Sequence, residues 1–125
     1  LRWLLWSKKP ASPGVTTKDS LQETVCNLKR IAYADESQAG VLYQYVFEHA
    51  SALANFPDSE LGSMGTMAIA DWYLDRKQYD QAIERYQRLY NTPDALIKHH
   101  MDNVCFRLAY ALAQKDKWQN ALSCL

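Results

Sequence analysis

No surplus of charge marks this sequence: 14 Lys and Arg are matched by 14 Asp and Glu. Binding to nucleic acid or to an anionic membrane surface needs a basic excess on one face, so the balance argues against both. Cysteine is sparse as well. Cys26, Cys105 and Cys124 are odd in number, unclustered and without a CxxC spacing. That argues against a disulfide framework and against a zinc site, and leaves the three as small buried hydrophobes. Missing too is the Val/Ile/Thr-rich alternation that strands need. No nucleophile elbow, P-loop or dinucleotide fingerprint occurs, so catalysis has no positive support and no cofactor is expected. There is no long hydrophobic run. The apolar start, Leu1-Arg2-Trp3-Leu4-Leu5-Trp6, is too short to span a bilayer. It reads either as the last turns of a membrane span, with Trp3 and Trp6 in the interfacial belt, or as a short helix packed on the domain. Pro10-Ala11-Ser12-Pro13-Gly14 then reads as a linker. Residues 1–19 are therefore set apart, as a membrane anchor or a packed segment, from a domain over 20–125.

What is present is helical periodicity. With 48% hydrophobic and 22% charged residues, 125 residues suffice for one soluble domain with one core. A block occurs twice, 36 residues apart: Tyr43 to Asp58 ends in Asn55-Phe56-Pro57-Asp58, and Tyr79 to Asp94 ends in Asn91-Thr92-Pro93-Asp94. Apolar sites match within it, as Tyr43/Tyr79, Val46/Ala82, Phe47/Ile83, Ala50/Tyr86 and Leu53/Leu89. A mid-thirties period with helical spacing inside and a proline at each boundary signals stacked helical hairpins. The spacing predicts about six helices. The first, 20–34, has a capping box at Ser20 to Glu23. Others follow over 39–55, over 59–74 with Asp58 or Ser59 as cap, over 79–91, and over 93–114 with Thr92 as cap and Pro93 in the first helical position. A sixth begins at Trp118. Gly62 and Gly65 lie inside the third, where each costs about 1 kcal/mol relative to alanine. Glycines three apart imply close backbone approach to a neighbour, while a frayed first turn also accounts for Gly62.

Small residues recur twelve positions apart with a ring three before the second: Ala70 and Ala82 with Tyr79, then Ala109 and Ala121 with Trp118. This pattern resembles the tetratricopeptide repeat (TPR) family, in which alanines at the crossing let antiparallel helices approach and the ring fills the gap beside them. The resemblance implies an all-α fold of antiparallel hairpins, about 20–56, 58–91 and 93–125, stacked as a right-handed solenoid. The chain departs from the family pattern. Asp71 and Tyr110 stand where a glycine is usual, and Ala82 to Ala121 is 39 residues rather than 34. The extra residues fall between Pro93 and Asn103, so the fifth helix is expected to be longer by more than one turn. Irregular repeats after a Trp-rich segment and a linker are similar to bacterial envelope TPR proteins of the YfgM-like kind. Those are single-span proteins with a periplasmic TPR domain that accompany the Sec translocon. Lys8-Lys9 argues the other way, since basic residues after a span favour the cytoplasmic side.

TPR stacks hold partner segments in the groove lined by the first helix of each hairpin. The resemblance carries that groove onto Met64, Met67, Asp71 and Asp75 of one hairpin. From the next come Asn103, Phe106, Arg107, Tyr110 and Gln114. Methionines and rings interleaved with hydrogen-bonding groups suit an adaptable peptide surface, although Met67 and Phe106 are equally read as packing. Asp71 and Arg107 are placed across the groove, or as a surface pair worth under about 1 kcal/mol. His99, His100, Asp102 and Cys105 lack the convergent ligands of a metal site and read as a solvated helix surface. The expected function is a non-catalytic protein–protein interaction scaffold for a protein or peptide partner. The alternatives are a self-assembling element, with Trp118, Leu122 and Leu125 as the contact face of a homo-oligomer, or a regulatory segment of a larger protein.

Overall fold

The computed structural model describes residues 18–115, and every regular element among them is helical. Helix α1 spans Lys18–Ala34, and a single 3-10 turn, Glu36–Gln38, leads into α2, Ala39–Glu48. A short α3 (Ala50–Leu53), α4 (Asp58–Asp75), α5 (Tyr79–Asn91), a short α6 (Ala95–Lys98) and α7 (Met101–Gln114) follow. Helix α1 packs on α2 and α4, α2 on α4, α4 on α5, and α5 on α7. The all-α expectation therefore holds over the described residues. Trp118, Leu122 and Leu125, and the segment before 18, lie outside them.

Each helix forms around one apolar stripe. Leu21, Val25 and Ala32 are the buried face of α1, and Ala82, Ile83, Tyr86 and Leu89 that of α5, opposite exposed Gln81, Glu84 and Gln87. A leucine buried as completely as Leu42, Leu53 or Leu61 contributes about 1.5–3 kcal/mol. Ala70 and Ala82 are both fully buried where α4 meets α5, as alanines at a close crossing should be. At Gly65 a Cβ would stand 3.4 Å from Val46 Cγ2 and 3.0 Å from Leu61 Cβ, so the glycine does mark a close approach of α4 to α2. The turn between α4 and α5 is a Schellman motif. Gln78 N–H reaches Tyr73 O at 2.9 Å and Lys77 N–H reaches Leu74 O at 3.0 Å, with Lys77 at φ 62°.

Five expected helix features differ, the last of them in the fifth helix. Ser20 lies inside α1, which starts at Lys18, and its carbonyl accepts from Thr24 Oγ1 at 3.0 Å. The second helix breaks at His49 (φ −111°, ψ 24°), whose Nδ1 lies 2.9 Å from Tyr45 O while its ring stacks on that of Tyr45. Pro57, not Asp58 or Ser59, precedes α4, its carbonyl accepting from Glu60 N–H at 3.0 Å, while the Asp58 side chain meets Arg88 at 2.7 and 3.3 Å. Asp94 rather than Thr92 caps the segment after α5, accepting from Ile97 N–H at 2.8 Å.

The fifth helix is not one long rod. Its extra residues form α6, a separate turn that ends at His99–His100 before α7 starts at Met101. Burial of Leu96 and Ile97, contact of α6 with α4, and the Asp94 cap together fix this turn apart from α7.

Candidate functional site

Asp71 is the most connected side chain on α4. Its Oδ2 accepts from Tyr43 Oη of α2 at 2.5 Å and from Arg107 Nη1 of α7 at 2.6 Å, and its Oδ1 accepts from Tyr86 Oη of α5. The carboxylate is only 10% exposed and Arg107 is 33% exposed, so the Asp71–Arg107 pair is part of a partly buried tie joining four helices rather than a fully solvated surface pair. Burial first, and then the Asp71 charge and hydrogen bond, push both tyrosine hydroxyls well above their ordinary value, which keeps them protonated donors.

The other residues expected in the groove separate into two groups. Met64 and Met67 are 3% and 4% exposed and are part of the core. They still edge a cleft of about 330 Å³ with Tyr43, Gly40, His100 and Arg107. This cleft brings three of the nine expected residues together. Phe106 and Tyr110, 65% and 47% exposed, lie on the outer side of α7 with exposed Asn103 and Gln114. Asp75 is exposed at the far end of α4. Of the expected groove residues, Met64 and Met67 are thus buried and Asp71 is engaged along the middle of α4, while Asn103, Phe106, Tyr110 and Gln114 are exposed on α7.

A larger cleft, about 780 Å³, was not read from the sequence. It lies between the C-terminal half of α1 (Lys29, Arg30, Tyr33), the start of α4 (Ser59 to Thr66) and the α5–α6 connection (Asn91, Thr92, Asp94). Gly62 opens its floor. At φ 76° and ψ 171° it interrupts α4 in a conformation reserved for glycine, and the helix resumes at Ser63. Ser63 N–H, freed by that break, donates to Tyr33 Oη at 3.1 Å. Tyr33 Oη in turn donates to Asp94, which also accepts from Ser63 Oγ at 2.9 Å. Burial alone would raise the Asp94 carboxyl, but hydrogen bonds from Tyr33, Ile97 N–H, Ser63 and Leu96 N–H outweigh it and hold the carboxyl below its ordinary value.

Two signals for this second cluster were present in the sequence. Asp94-Ala95-Leu96-Ile97 has the spacing of an Asp cap reaching the third N–H, and Gly62 within a helical pattern marks a break as readily as a packing contact. Tyr33 carried no signal, since its partners lie 30 and 61 residues away. Among the described residues no three His, Cys, Asp or Glu side chains converge as a metal site, and no helix is long and apolar enough to cross a membrane. His99 instead meets Glu36 at 3.1 Å, and burial, then Asp102, pushes the Cys105 thiol up. Comparison with protein-family models, curated proteins and solved structures gave no match for this chain.

Proposed function

We propose that the chain is a non-catalytic interaction module built as a TPR-like stack of helical hairpins, and that it holds a protein or peptide segment on the open side of α7. The observation that carries this reading is the exposure of Phe106 and Tyr110 one turn apart, flanked by Asn103 and Gln114. Exposed rings cost solvation and are enriched where partners bind. The 330 Å³ cleft beside Arg107 supplies an adjoining recess with methionine walls. Arg107 is fixed by Asp71, so it presents a positioned guanidinium rather than a mobile one.

A photo-crosslinking amino acid placed at Phe106 in the full chain, followed by mass spectrometry, tests the reading. A discrete partner is expected, with its capture reduced at least tenfold by Tyr110→Ala. Crosslinks only to a second copy of the chain would favour self-assembly, and capture unaffected by Tyr110→Ala would remove the α7 face as the site. Among the described residues Tyr110 takes no part in the helix ties, so its loss is expected to leave the fold intact.

A further inference from the structure

We propose that the 780 Å³ cleft is a second binding site, separate from the α7 face, and that its ligand is a short acidic peptide segment. Its volume lies within the range of about 300–1,000 Å³ typical of ligand sites, far more than a lone carboxylate or phosphate fills. Three cations and two carboxylates line it, and they are not equally engaged. Arg88 and Asp58 neutralise each other at 2.7 Å. Asp94 is occupied by the Tyr33 and Ser63 hydroxyls and by the Ile97 N–H. Lys29 and Arg30 remain: the first donates to the Ser59 carbonyl at 2.5 Å, the second to Asn27 Oδ1 at 2.7 Å, and neither is ion-paired with any described carboxylate. An ammonium keeps two further donors in that state and a guanidinium four, and an arginine fork matches a carboxylate at two points.

A second observation is independent of charge. Thr66, at the cleft wall, is 1% exposed, and its Oγ1 is the only buried side-chain oxygen among the described residues without a hydrogen-bond partner. A helical threonine ordinarily bonds the carbonyl four residues back. Here that residue is Gly62, and its non-helical ψ of 171° turns the carbonyl away. Buried polar atoms are nearly always satisfied, so this one is an unmet hydrogen-bonding group in the cleft wall. Ser59, Asn91 and Thr92 add hydrogen-bonding groups around the ring of Tyr33 and the side chain of Leu89. An anion surrounded by amide-sized hydrogen-bonding groups and some apolar bulk is the chemistry of a peptide carrying Asp or Glu.

An array of random hexapeptides probed with the full chain tests the assignment. Bound sequences should be enriched at least tenfold in Asp and Glu, and the Lys29→Gln/Arg30→Gln variant should weaken the best binders at least tenfold. Arg30→Glu, at an exposed position, repeats the test by charge reversal should the double variant melt early. Phe106→Ala with Tyr110→Ala should leave this binding unchanged, which keeps its fate distinct from that of the α7 face. No enrichment in acidic residues, or enrichment that survives the Lys29 and Arg30 changes, would overturn the proposal. Competition by free citrate or inorganic phosphate as strong as that of the peptide itself would also overturn it, since the cleft would then serve small anions.

Discussion

Two aspartates organise this molecule, and they do so by opposite means. Asp71, its side chain 10% exposed, faces a cation and joins α2, α4, α5 and α7 through two tyrosines and Arg107. Asp94 is half-buried, has no cation partner among the described residues, and joins α1, α4 and α6 through hydroxyls and backbone N–H groups. A carboxylate that three donors share is expensive to lose, because its removal leaves the fully buried Tyr86 hydroxyl without an acceptor. A carboxylate that serves as a helix cap is cheaper to lose, because water replaces its donors at a partly open site. The first cluster therefore holds the fold, and the second shapes the wall of a cleft.

The largest effect that checks this contrast is expected from Asp71→Ala. It removes the acceptor for two tyrosine hydroxyls, one of them fully buried, and the partner of Arg107, so urea unfolding should show a loss of about 2–4 kcal/mol. A loss below that of Asp94→Ala would reverse the comparison. Gly62→Ala comes next. An alanine Cβ would meet Lys29 Cδ at 3.1 Å and Tyr33 Cε2 at 3.3 Å, on a backbone at φ 76°. The lysine can yield, but the backbone cannot, and a cost of about 1–3 kcal/mol is expected. The same variant should weaken the Ser63 N–H contact with Tyr33, which is read as faster hydrogen exchange at Ser63.

Asp94→Ala should cost about 0.5–2 kcal/mol, the usual worth of a helix cap. The folded carboxyl of Asp94 lies below the ordinary value of 3.8. Its contribution is therefore complete above that value and is lost as pH falls through the lower, folded one. The gap between wild type and Asp94→Ala should close in acid. Tyr43 and Tyr86 run the other way. Their folded values lie above the ordinary 10.0, so their contribution is complete below pH 10 and is lost only in strong base. Unfolding curves from pH 2 to 11 would detect the acid limb, and an Asp94→Ala variant that retains it would assign that limb elsewhere.

How far each cluster was legible in the sequence follows from the range of its contacts. The helices and the alanine crossing of α4 and α5 are local patterns, and periodicity revealed them. The Asp71–Arg107 pairing also came from repeat register, although its burial did not, because nothing in the spacing shows that Tyr43 and Tyr86 reach the same carboxylate. Met64 and Met67 share the apolar character of groove and core residues, so type alone could not assign them. The turn at α6 escaped because Leu96 and Ile97 fit a continued helical stripe. What sets the turn apart is the Asp94 network, whose partners on α1 and α4 lie far away in the chain. The 780 Å³ cleft needed all of these contacts at once.

The smallest effect is expected from Tyr33→Phe, and it is the finest check on how Asp94 works. The ring is 45% exposed, so losing the hydroxyl costs little packing. What goes is one donor to Asp94 and one acceptor for Ser63 N–H, for a net loss of about 0.5–1.5 kcal/mol. In a double-mutant cycle with Asp94→Ala the two changes should be strongly non-additive, since they remove opposite ends of one bond. Tyr86→Phe offers the matching measurement at the other carboxylate. It should cost more, because Tyr86 is fully buried and Asp71 retains the arginine with one fewer donor to share its charge. Equal losses at Tyr33 and Tyr86 would mean that neither burial nor the cation makes much difference to these ties, and the two aspartates would then belong to one kind.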